Sequence, residues 1–280
     1  MMDTLTIPAP SKTRLGRLRW TLADGLVVTR RNLAHIRRTP QKLFDVTIQP
    51  LILVFLFGYV FGSAITVPGG DYIEYVMPGV FAFTMLGTLA ATAIGFADDM
   101  SKGIVDRFRS LPMASSAMLL GRSASDLLES LLGLSILLVC GLVAGWRPHS
   151  GLAETLGAFG LLLLLAWAMN WAGVVLGLLI RTPEAANIIG GIATLPLVFL
   201  SNTFVPTQGM SPWLRAVADW NPLSATVAAC RDLFGGQGAA AVSNTWPLQH
   251  PIVASIGWSL LLLAVFIPLA MRVYRTATTQ

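Results

Sequence analysis

The feature that most constrains this chain is a long apolar run without a charged residue, from Thr155 to Ile180. Its middle contains five consecutive leucines, from Leu161 to Leu165. A helix needs about 20 apolar residues to cross the hydrocarbon core of a membrane, where it satisfies its own backbone hydrogen bonds. A helix on the surface of a water-soluble domain carries a polar face instead. The run therefore predicts a membrane-spanning helix.

Similar runs recur along the chain, so we expect an all-α integral membrane protein with six transmembrane helices. Hydrophobic residues make up 54% of the sequence and charged residues 12%, against about 25% charged residues in soluble domains. We expect one membrane domain over residues 44–272, between cytoplasmic tails at 1–43 and 273–280. The predicted spans are residues 44–66, 73–97, 119–146, 154–180, 185–206 and 252–272.

The distribution of basic residues predicts the orientation of these spans. Lys and Arg accumulate in short cytoplasmic segments beside membrane spans. With the amino terminus inside, only Arg147, Arg215 and Arg231 of the 19 Lys and Arg residues lie outside, which leaves 16 on the cytoplasmic side. Both termini are then cytoplasmic. Tryptophans favour the headgroup level, and five of them fall near the predicted outer boundary: Trp146, Trp213, Trp220, Trp246 and Trp258.

The segment before the first span has the pattern of an amphipathic helix on the inner leaflet. Its apolar residues recur at helical spacing, and most of its arginines lie off that stripe. The stripe comprises Leu15, Leu18, Leu22, Leu26, Leu33 and Ile36. Anionic lipids attract such a basic face, and docking to a cytoplasmic partner is the alternative interpretation.

Metal, thiol and phosphate-loop chemistry find no support in the sequence. Cys140 and Cys230 lie far apart without C-x-x-C spacing, and His35, His149 and His250 are scattered. None of the three lysines ends a G-x-x-x-x-G-K-[ST] phosphate loop. The net charge of +5 reflects membrane topology, so we expect no nucleic-acid partner, and we expect membrane lipids to surround the spans.

Two connections differ from plain spans. Residues 98–113 are polar: Asp98 and Asp99 suit a helix amino terminus, and Pro112 ends a short helix at Leu111. Alone, this segment is typical of a solvated connection. Residues 207–250 contain two short, moderately apolar stretches, 212–219 and 222–234. Stretches of that length are typical of interfacial or re-entrant segments.

Three strings in these regions resemble permease subunits of ABC-2-type exporters, in particular the daunorubicin-resistance permeases. Their order relative to the predicted spans carries the resemblance, which covers roughly residues 40–272. The strings are Arg107-Phe108-Arg109-Ser110-Leu111-Pro112, then Phe199-Leu200-Ser201-Asn202-Thr203-Phe204-Val205-Pro206, then Met210-Ser211-Pro212-Trp213-Leu214 followed by Trp220-Asn221-Pro222-Leu223-Ser224.

The resemblance implies a half-transporter that pairs with a second permease, identical or homologous, and with two copies of a cytoplasmic ATPase. This chain would bind no cofactor, because ATP and Mg would be bound by the ATPase. Residues 98–113 would form the coupling helix, and residues 207–250 an extracellular re-entrant hairpin. Phe108 and Leu111 would fit a groove on the ATPase, and Arg107 and Arg109 would meet acidic residues. The implied coupling set is Asp98, Asp99, Arg107, Phe108, Arg109, Leu111 and Pro112.

The third predicted span carries charged residues close to its cytoplasmic end. Asp126 and Glu129 share a helical face, and Arg122 lies four residues before Asp126. Charges inside a membrane are functional candidates. The interpretations are an i,i+4 ion pair at the interface and a proton relay through the two carboxyl groups.

Small polar residues recur on two spans and have two interpretations. Thr84, Thr88 and Thr92 are spaced by four residues on the second span, and the fifth carries Thr194, Ser201 and Asn202. Such stripes are typical of close helix packing. Alternatively they line an apolar substrate path, whose candidate residues are Phe81, Thr84, Met85, Thr88, Thr194, Phe199 and Asn202.

The leading functional hypothesis is a non-enzymatic permease subunit of an ATP-driven exporter in a bacterial cytoplasmic membrane. An uncharged, apolar bundle favours an amphiphilic small molecule or a lipid as substrate. Two alternatives remain: export of a polysaccharide or glycolipid by the same architecture, and a proton-coupled secondary transporter that uses Asp126 and Glu129. An intramembrane enzyme is disfavoured, because the sequence offers no matching set of catalytic residues at one depth.

Overall fold

The structure of this chain is a computed structural model that describes residues 48, 51–56, 72–103, 115–180, 182–205, 207–236 and 245–277. These residues are helical with short connections, and no strand occurs among them. Residues 51–55 are helical, and a single 3-10 turn covers Thr207–Gly209. The other helices are α1 (Tyr72–Leu86), α2 (Thr88–Ser101), α3 (Ser115–Val143), α4 (Leu152–Leu179), α5 (Pro183–Phe199), α6 (Pro212–Asp219), α7 (Pro222–Leu233), α8 (Trp246–Gln249) and α9 (Pro251–Ala277).

Within the described part of the chain, four helical stretches are long and apolar enough to cross a membrane. They are Tyr72–Ser101, Leu119–Val143, Leu152–Leu179 and Pro251–Tyr274. The all-helical prediction is confirmed for the described residues, and these stretches match the second, third, fourth and sixth predicted spans. Most of the first predicted span, 44–66, and the amino-terminal amphipathic helix lie outside the described residues. The count of six spans therefore stays a prediction.

The fifth predicted span, residues 185–206, is shorter than expected. Helix α5 ends at Phe199 after 17 residues, a length of about 26 Å at 1.5 Å per residue. Residues 201–205 are non-helical. We call residues 200–205 the α5 tail.

Helix α4 lies at the centre of the molecule, in contact with α1, α2, α3, α5, α7 and α9. A helix that is apolar on all sides can pack against neighbours on all sides, and most residues of α4 between Ala158 and Leu178 are buried. Helix α2 packs closely against α4, because Gly173 and Gly177 of α4 have no side chain that would keep the two helices apart. A Cβ at Gly173 would collide with the Leu89 carbonyl oxygen, and one at Gly177 would lie 2.6 Å from the Ala93 carbonyl oxygen. This G-x-x-x-G spacing is typical of close helix contacts in membranes.

A cluster of aromatic rings joins α1, α4 and α7 at the predicted outer side. Phe81, Trp146, Phe159 and Phe234 have ring centroids 5.0 to 5.9 Å apart, mostly in edge-to-face arrangements. Trp146 is only 2% exposed and fills the core between helices. Trp213, Trp220 and Trp246 are more than half exposed. The position of these rings at the outer boundary stays a prediction.

Short helices occupy the region that was expected to be re-entrant. Helix α6 coincides with the stretch 212–219, and α7 covers all but the last residue of 222–234. The buried Asp219 accepts hydrogen bonds from Thr207 and Thr245, both at 3.3 Å. These bonds tie α6 to the segments on either side. Re-entry of this region into the membrane stays a prediction.

Candidate functional site

A cluster of charged and polar side chains lies between α2, α3 and α4 near the predicted cytoplasmic side. We call it the inner cluster: Thr92, Asp99, Arg122, Asp126 and Asn170. Arg122 on α3 donates through Nη1 to Asp99 at the end of α2, at 2.7 Å, and through Nε to Asp126, at 3.2 Å. The three side chains are 9 to 17% exposed. One guanidinium therefore binds two carboxylates in a nearly buried position.

The neighbours of Arg122 are shaped around its guanidinium. Gly95 on α2 leaves the space that Nη2 fills, since a Cβ there would collide with it. The ring of Phe96 lies 5.5 Å from Cζ, within cation–π range. A larger residue at position 95 would require the guanidinium to shift.

From Asp126 the inner cluster extends to the middle of α4. Thr92 Oγ1 lies 3.0 Å from Asp126 Oδ2 and 3.2 Å from Asn170 Oδ1. A threonine hydroxyl has one hydrogen, so it can donate to only one of these oxygens. Asn170 Nδ2 is buried and has no partner. Turning the Asn170 amide over places Nδ2 against Thr92 Oγ1, and Thr92 then donates to Asp126.

A second polar cluster surrounds the α5 tail on the predicted outer side. We call it the outer cluster: Tyr75, Asn202, Asn221, Ser224 and Arg231. Arg231 on α7 is 4% exposed. Its Nη2 donates to the carbonyl oxygens of Asn202 and Thr203, at 2.9 and 3.2 Å, and its Nε donates to that of Tyr75, at 3.0 Å. Its Cζ lies 3.7 Å from the centre of the Tyr75 ring.

The remaining bonds of the outer cluster also serve the backbone. Tyr75 Oη donates to the backbone carbonyl of Asn202 at 3.1 Å, and the backbone N–H of Asn202 donates to Ser224 Oγ at 3.1 Å. Asn221 Nδ2 donates to the carbonyls of Leu197 and Leu200, at 2.8 and 2.6 Å. Non-helical backbone at membrane depth requires partners of this kind. The outer cluster supplies them.

Comparison with known proteins bears on what these clusters serve. The profile described as ABC-2 type transporter matches residues 25–234. The daunorubicin resistance ABC transporter permease protein DrrB1 of Streptomyces coeruleorubidus is 31% identical over 245 residues, which cover 88% of this chain and 83% of the relative. This chain belongs to the ABC-2 type transporter family. It is therefore a multi-pass membrane protein, and the resemblance seen in its sequence is confirmed.

Two further relatives extend the comparison. The doxorubicin resistance ABC transporter permease protein DrrB of Mycobacterium tuberculosis strain H37Rv is 29% identical over 211 residues, covering 71% of this chain and 72% of the relative. The putative transport permease ycf38 of Cyanophora paradoxa is 26% identical over 246 residues, covering 86% of this chain and 83% of the relative. In this ABC-2 protein the match extends over both clusters.

The two aspartates expected at the start of a coupling helix lie elsewhere in this ABC-2 protein. Asp98 and Asp99 occupy the last turn of α2, so their expected place at a helix amino terminus was wrong. A helix carboxyl terminus disfavours negative charge, and cations compensate: Arg122 pairs with Asp99, and Lys102 with Asp98 at 2.7 Å. The Asp98 hydrogen bond raises the pKa of Lys102.

The other coupling residues, Arg107, Phe108, Arg109, Leu111 and Pro112, lie outside the described residues. Their contact with an ATPase stays a prediction. Among the intramembrane charges, Arg122 and Asp126 form the expected i,i+4 ion pair, and Glu129 is half-buried on the same helix. A proton-relay role for Asp126 and Glu129 stays a hypothesis.

The structure separates the seven residues of the predicted substrate path. Phe81, Met85 and Asn202 are buried in the single chain, whereas Phe199 is 73% exposed. Thr84 and Thr194 donate to carbonyls of their own helices, and Thr88 also reaches Ala166 on α4 at 3.3 Å. These bonds are consistent with helix packing. Phe81 and Met85 fill the core and face no open path here, and a path through all seven stays a prediction.

Two buried polar residues of these clusters, Asn170 and Arg231, were not among the expected site residues. Asn170 is an amide within the long uncharged run of α4, and an isolated polar residue there is a recognisable signal. Arg231 was placed outside the membrane as an orientation signal. Its sequence surroundings do not reveal that it is buried, because its partners lie 28 to 156 residues away.

Proposed function

We propose that this chain is the permease subunit of an ATP-driven exporter in a bacterial cytoplasmic membrane, with both termini inside. It pairs with a second permease and with two copies of an ATPase, and it moves an amphiphilic small molecule or lipid outward. The observation that carries the proposal is the ABC-2 match over residues 25–234. Resistance to daunorubicin and doxorubicin, named for two relatives, supports daunorubicin as a test substrate.

The ATPase in this proposal is a separate polypeptide. The three lysines of this chain lie outside any G-x-x-x-x-G-K-[ST] phosphate loop. ATP and Mg are therefore bound by the partner, and this chain supplies the membrane path. The predicted contact with that partner is the connection between α2 and α3.

The inner cluster lies where such a connection meets the membrane helices. Asp99 is near the end of α2 and Arg122 is in the second turn of α3, on either side of residues 104–114. Their ion pair joins both ends of this connection. Through Asp126 and Thr92 the hydrogen bonds continue to Asn170 on α4. In our proposal this chain of bonds transmits the ATPase-driven displacement of the connection to the helix bundle.

Reconstitution with the ATPase tests the proposal directly. The chain would be co-expressed with a candidate ABC ATPase from the same organism, purified by a tag on the permease and placed in liposomes. Daunorubicin uptake would be followed with the ATPase on the outer face of the liposome. We expect uptake that requires ATP and Mg, and no uptake when the phosphate-loop lysine of the ATPase is replaced by alanine.

Other results would contradict the proposal. A permease that purifies without the ATPase, in a membrane extract where the ATPase is present, would argue against the complex. Uptake that persists without ATP and follows an imposed pH gradient would favour the proton-coupled alternative. Loss of that gradient-driven uptake in the variant Asp126→Asn, Glu129→Gln would assign it to these carboxyl groups.

A further inference from the structure

Helix α5 is attached to the rest of the chain by few buried side chains. Only Ala186, Gly190 and Val198 of its residues are buried. In its middle, Gly190 lies against Ala90 of α2, and a Cβ there would approach the Ala90 Cβ to 2.9 Å. The large apolar residues of α5 face outward in the single chain: Ile188, Ile189, Ile192, Leu195 and Phe199. The position of its outer end therefore depends strongly on the α5 tail.

The centre of the α5 tail is buried although it is non-helical. Ser201, Asn202 and Thr203 are 0 to 4% exposed. Gly79 on α1 allows Thr203 to lie directly against that helix, since a Cβ at Gly79 would collide with the Thr203 carbonyl oxygen. Leaving such backbone carbonyls unpaired in a membrane is costly. Whatever holds the tail must supply hydrogen-bond donors.

Arg231 donates to two adjacent carbonyls of the tail. It bonds the carbonyls of Asn202 and Thr203, and it also bonds the Tyr75 carbonyl of α1. Among the described residues it forms no ion pair, so its charge is offset by neutral carbonyls and by the Tyr75 ring. A buried cation without a counter-ion is costly. An apolar side chain of the same size could fill this space but could not hold the carbonyls.

We propose that Arg231 is a positioning residue for export: its guanidinium holds the α5 tail against α1 and α7, and release of the tail opens the outer side of the permease. The inference rests on the proposed function, because opening has a role only in a transporter. The tail leaves the guanidinium during each transport cycle. The outer end of α5 then moves with it.

Labelling of a thiol in the tail tests the inference without reference to a substrate. Asn202→Cys would be introduced with Cys140→Ala and Cys230→Ala, in the complex with its ATPase in membranes. A membrane-impermeant maleimide would be added from the outer side. Labelling is expected to be slow at rest and faster during ATP turnover. Ser211→Cys, at an exposed position just before α6, serves as the control that labels rapidly in every state.

Variants of the outer cluster separate holding from folding. Arg231→Lys keeps the charge but loses the fork of donors, and resting labelling is expected to rise about tenfold, as for loss of one hydrogen bond to a charged group. Tyr75→Phe removes only the hydroxyl that bonds the Asn202 carbonyl and should give a smaller rise. Tyr72→Phe removes the hydroxyl that bonds another carbonyl of the tail, that of Phe204 at 3.3 Å, and should give a similarly small rise. Equal resting labelling in Arg231→Lys and the parent protein would overturn the proposal.

A crosslink tests whether the tail must move. Asn202→Cys and Ser224→Cys would be combined, since the backbone nitrogen of Asn202 lies 3.1 Å from Ser224 Oγ. Oxidation to the disulfide is expected to stop daunorubicin transport, and reduction should restore it in the same preparation. Undiminished transport by the oxidised protein would overturn the proposal. A reduced protein that binds the ATPase but never transports would instead refute the proposed function.

Discussion

The inner and outer clusters each contain a buried arginine, but the two arginines bind different kinds of groups. In the inner cluster, side chains bond to side chains: one arginine lies between two carboxylates on neighbouring helices. In the outer cluster, an arginine bonds to backbone carbonyls of a non-helical segment. A buried arginine in a membrane protein can therefore pair with buried carboxylates or can complete the hydrogen bonding of the backbone. The consequences of removing it differ accordingly.

The largest expected effect comes from removing each arginine. Arg122→Met leaves Asp99 and Asp126 without their cation, so we expect a loss of about 3–5 kcal/mol in the free energy of unfolding. Arg231→Met leaves neutral carbonyls unpaired and removes a buried charge, so we expect the smaller loss of about 1–3 kcal/mol. Titration of the purified protein with a denaturing detergent measures both.

A neutral version of the inner cluster is the control for this comparison. The variant Asp99→Asn, Arg122→Met, Asp126→Asn removes all three charges together. We expect it to regain most of the stability lost in Arg122→Met, because none of these three positions then carries an unpaired charge. If the single and triple variants are equally unstable, charge balance does not explain the inner cluster.

Two glycines distinguish the clusters by what an added methyl group would meet. At Gly79 it meets the backbone oxygen of Thr203, and at Gly95 it meets the end of the Arg122 side chain. Backbone cannot move aside as a side chain can, so we expect Gly79→Ala to cost about 1–3 kcal/mol and Gly95→Ala to cost less. The same titration applies, with Gly160→Ala as control, since nothing lies within 4 Å of that site. A greater loss at Gly95 would reverse the assignment.

Two asparagines allow the same substitution in both clusters. Asn221 donates to two carbonyls of α5 and accepts from the Leu223 amide at 2.8 Å, whereas Asn170 has an unpartnered Nδ2. We expect Asn221→Leu to lower the free energy of unfolding by about 2 kcal/mol and Asn170→Leu by about 1 kcal/mol or less. Equal losses would show that the Asn170 amide has partners that its contacts do not reveal.

The smallest expected effect concerns single hydroxyl groups on α1 and α2. Thr92→Val removes the bond between α2 and Asp126, whereas Thr84→Val removes a bond at 2.9 Å to a carbonyl of its own helix. We expect a loss of about 1 kcal/mol for Thr92→Val and a smaller one for Thr84→Val. Thermal unfolding midpoints, followed by intrinsic tryptophan fluorescence, compare the two. A Thr84→Val loss as large as that of Thr92→Val would remove the distinction.

Much of the helical architecture was predictable because it depends on local properties. The uncharged run ending at Ile180 and the apolar run before Arg272 each became a long helix, α4 and α9. Hydropathy determines such segments whatever their neighbours are. The premature end of α5 was not predictable from hydropathy, because the Asn221 amide from another segment caps its last carbonyls.

The candidate sites were predicted less completely than the helices. The pairing of Arg122 with Asp126 follows from a four-residue spacing within one helix. That of Arg122 with Asp99 spans 23 residues and requires knowledge of how α2 packs on α3. Phe81 and Met85 were expected on a path and lie in the core, because apolar residues look alike in sequence whether they face lipid, substrate or protein.

The sequence by itself determined that this protein folds in a membrane, that it is helical and that it belongs to the ABC-2 family. Hydropathy, charge distribution and short motifs are properties of contiguous residues. Only the tertiary structure decided which polar groups meet. Thr92 reaches Asn170 across 78 residues and Arg231 reaches Tyr75 across 156. Such pairs arise because close packing around α4 brings distant helices together and leaves each buried polar group few possible partners.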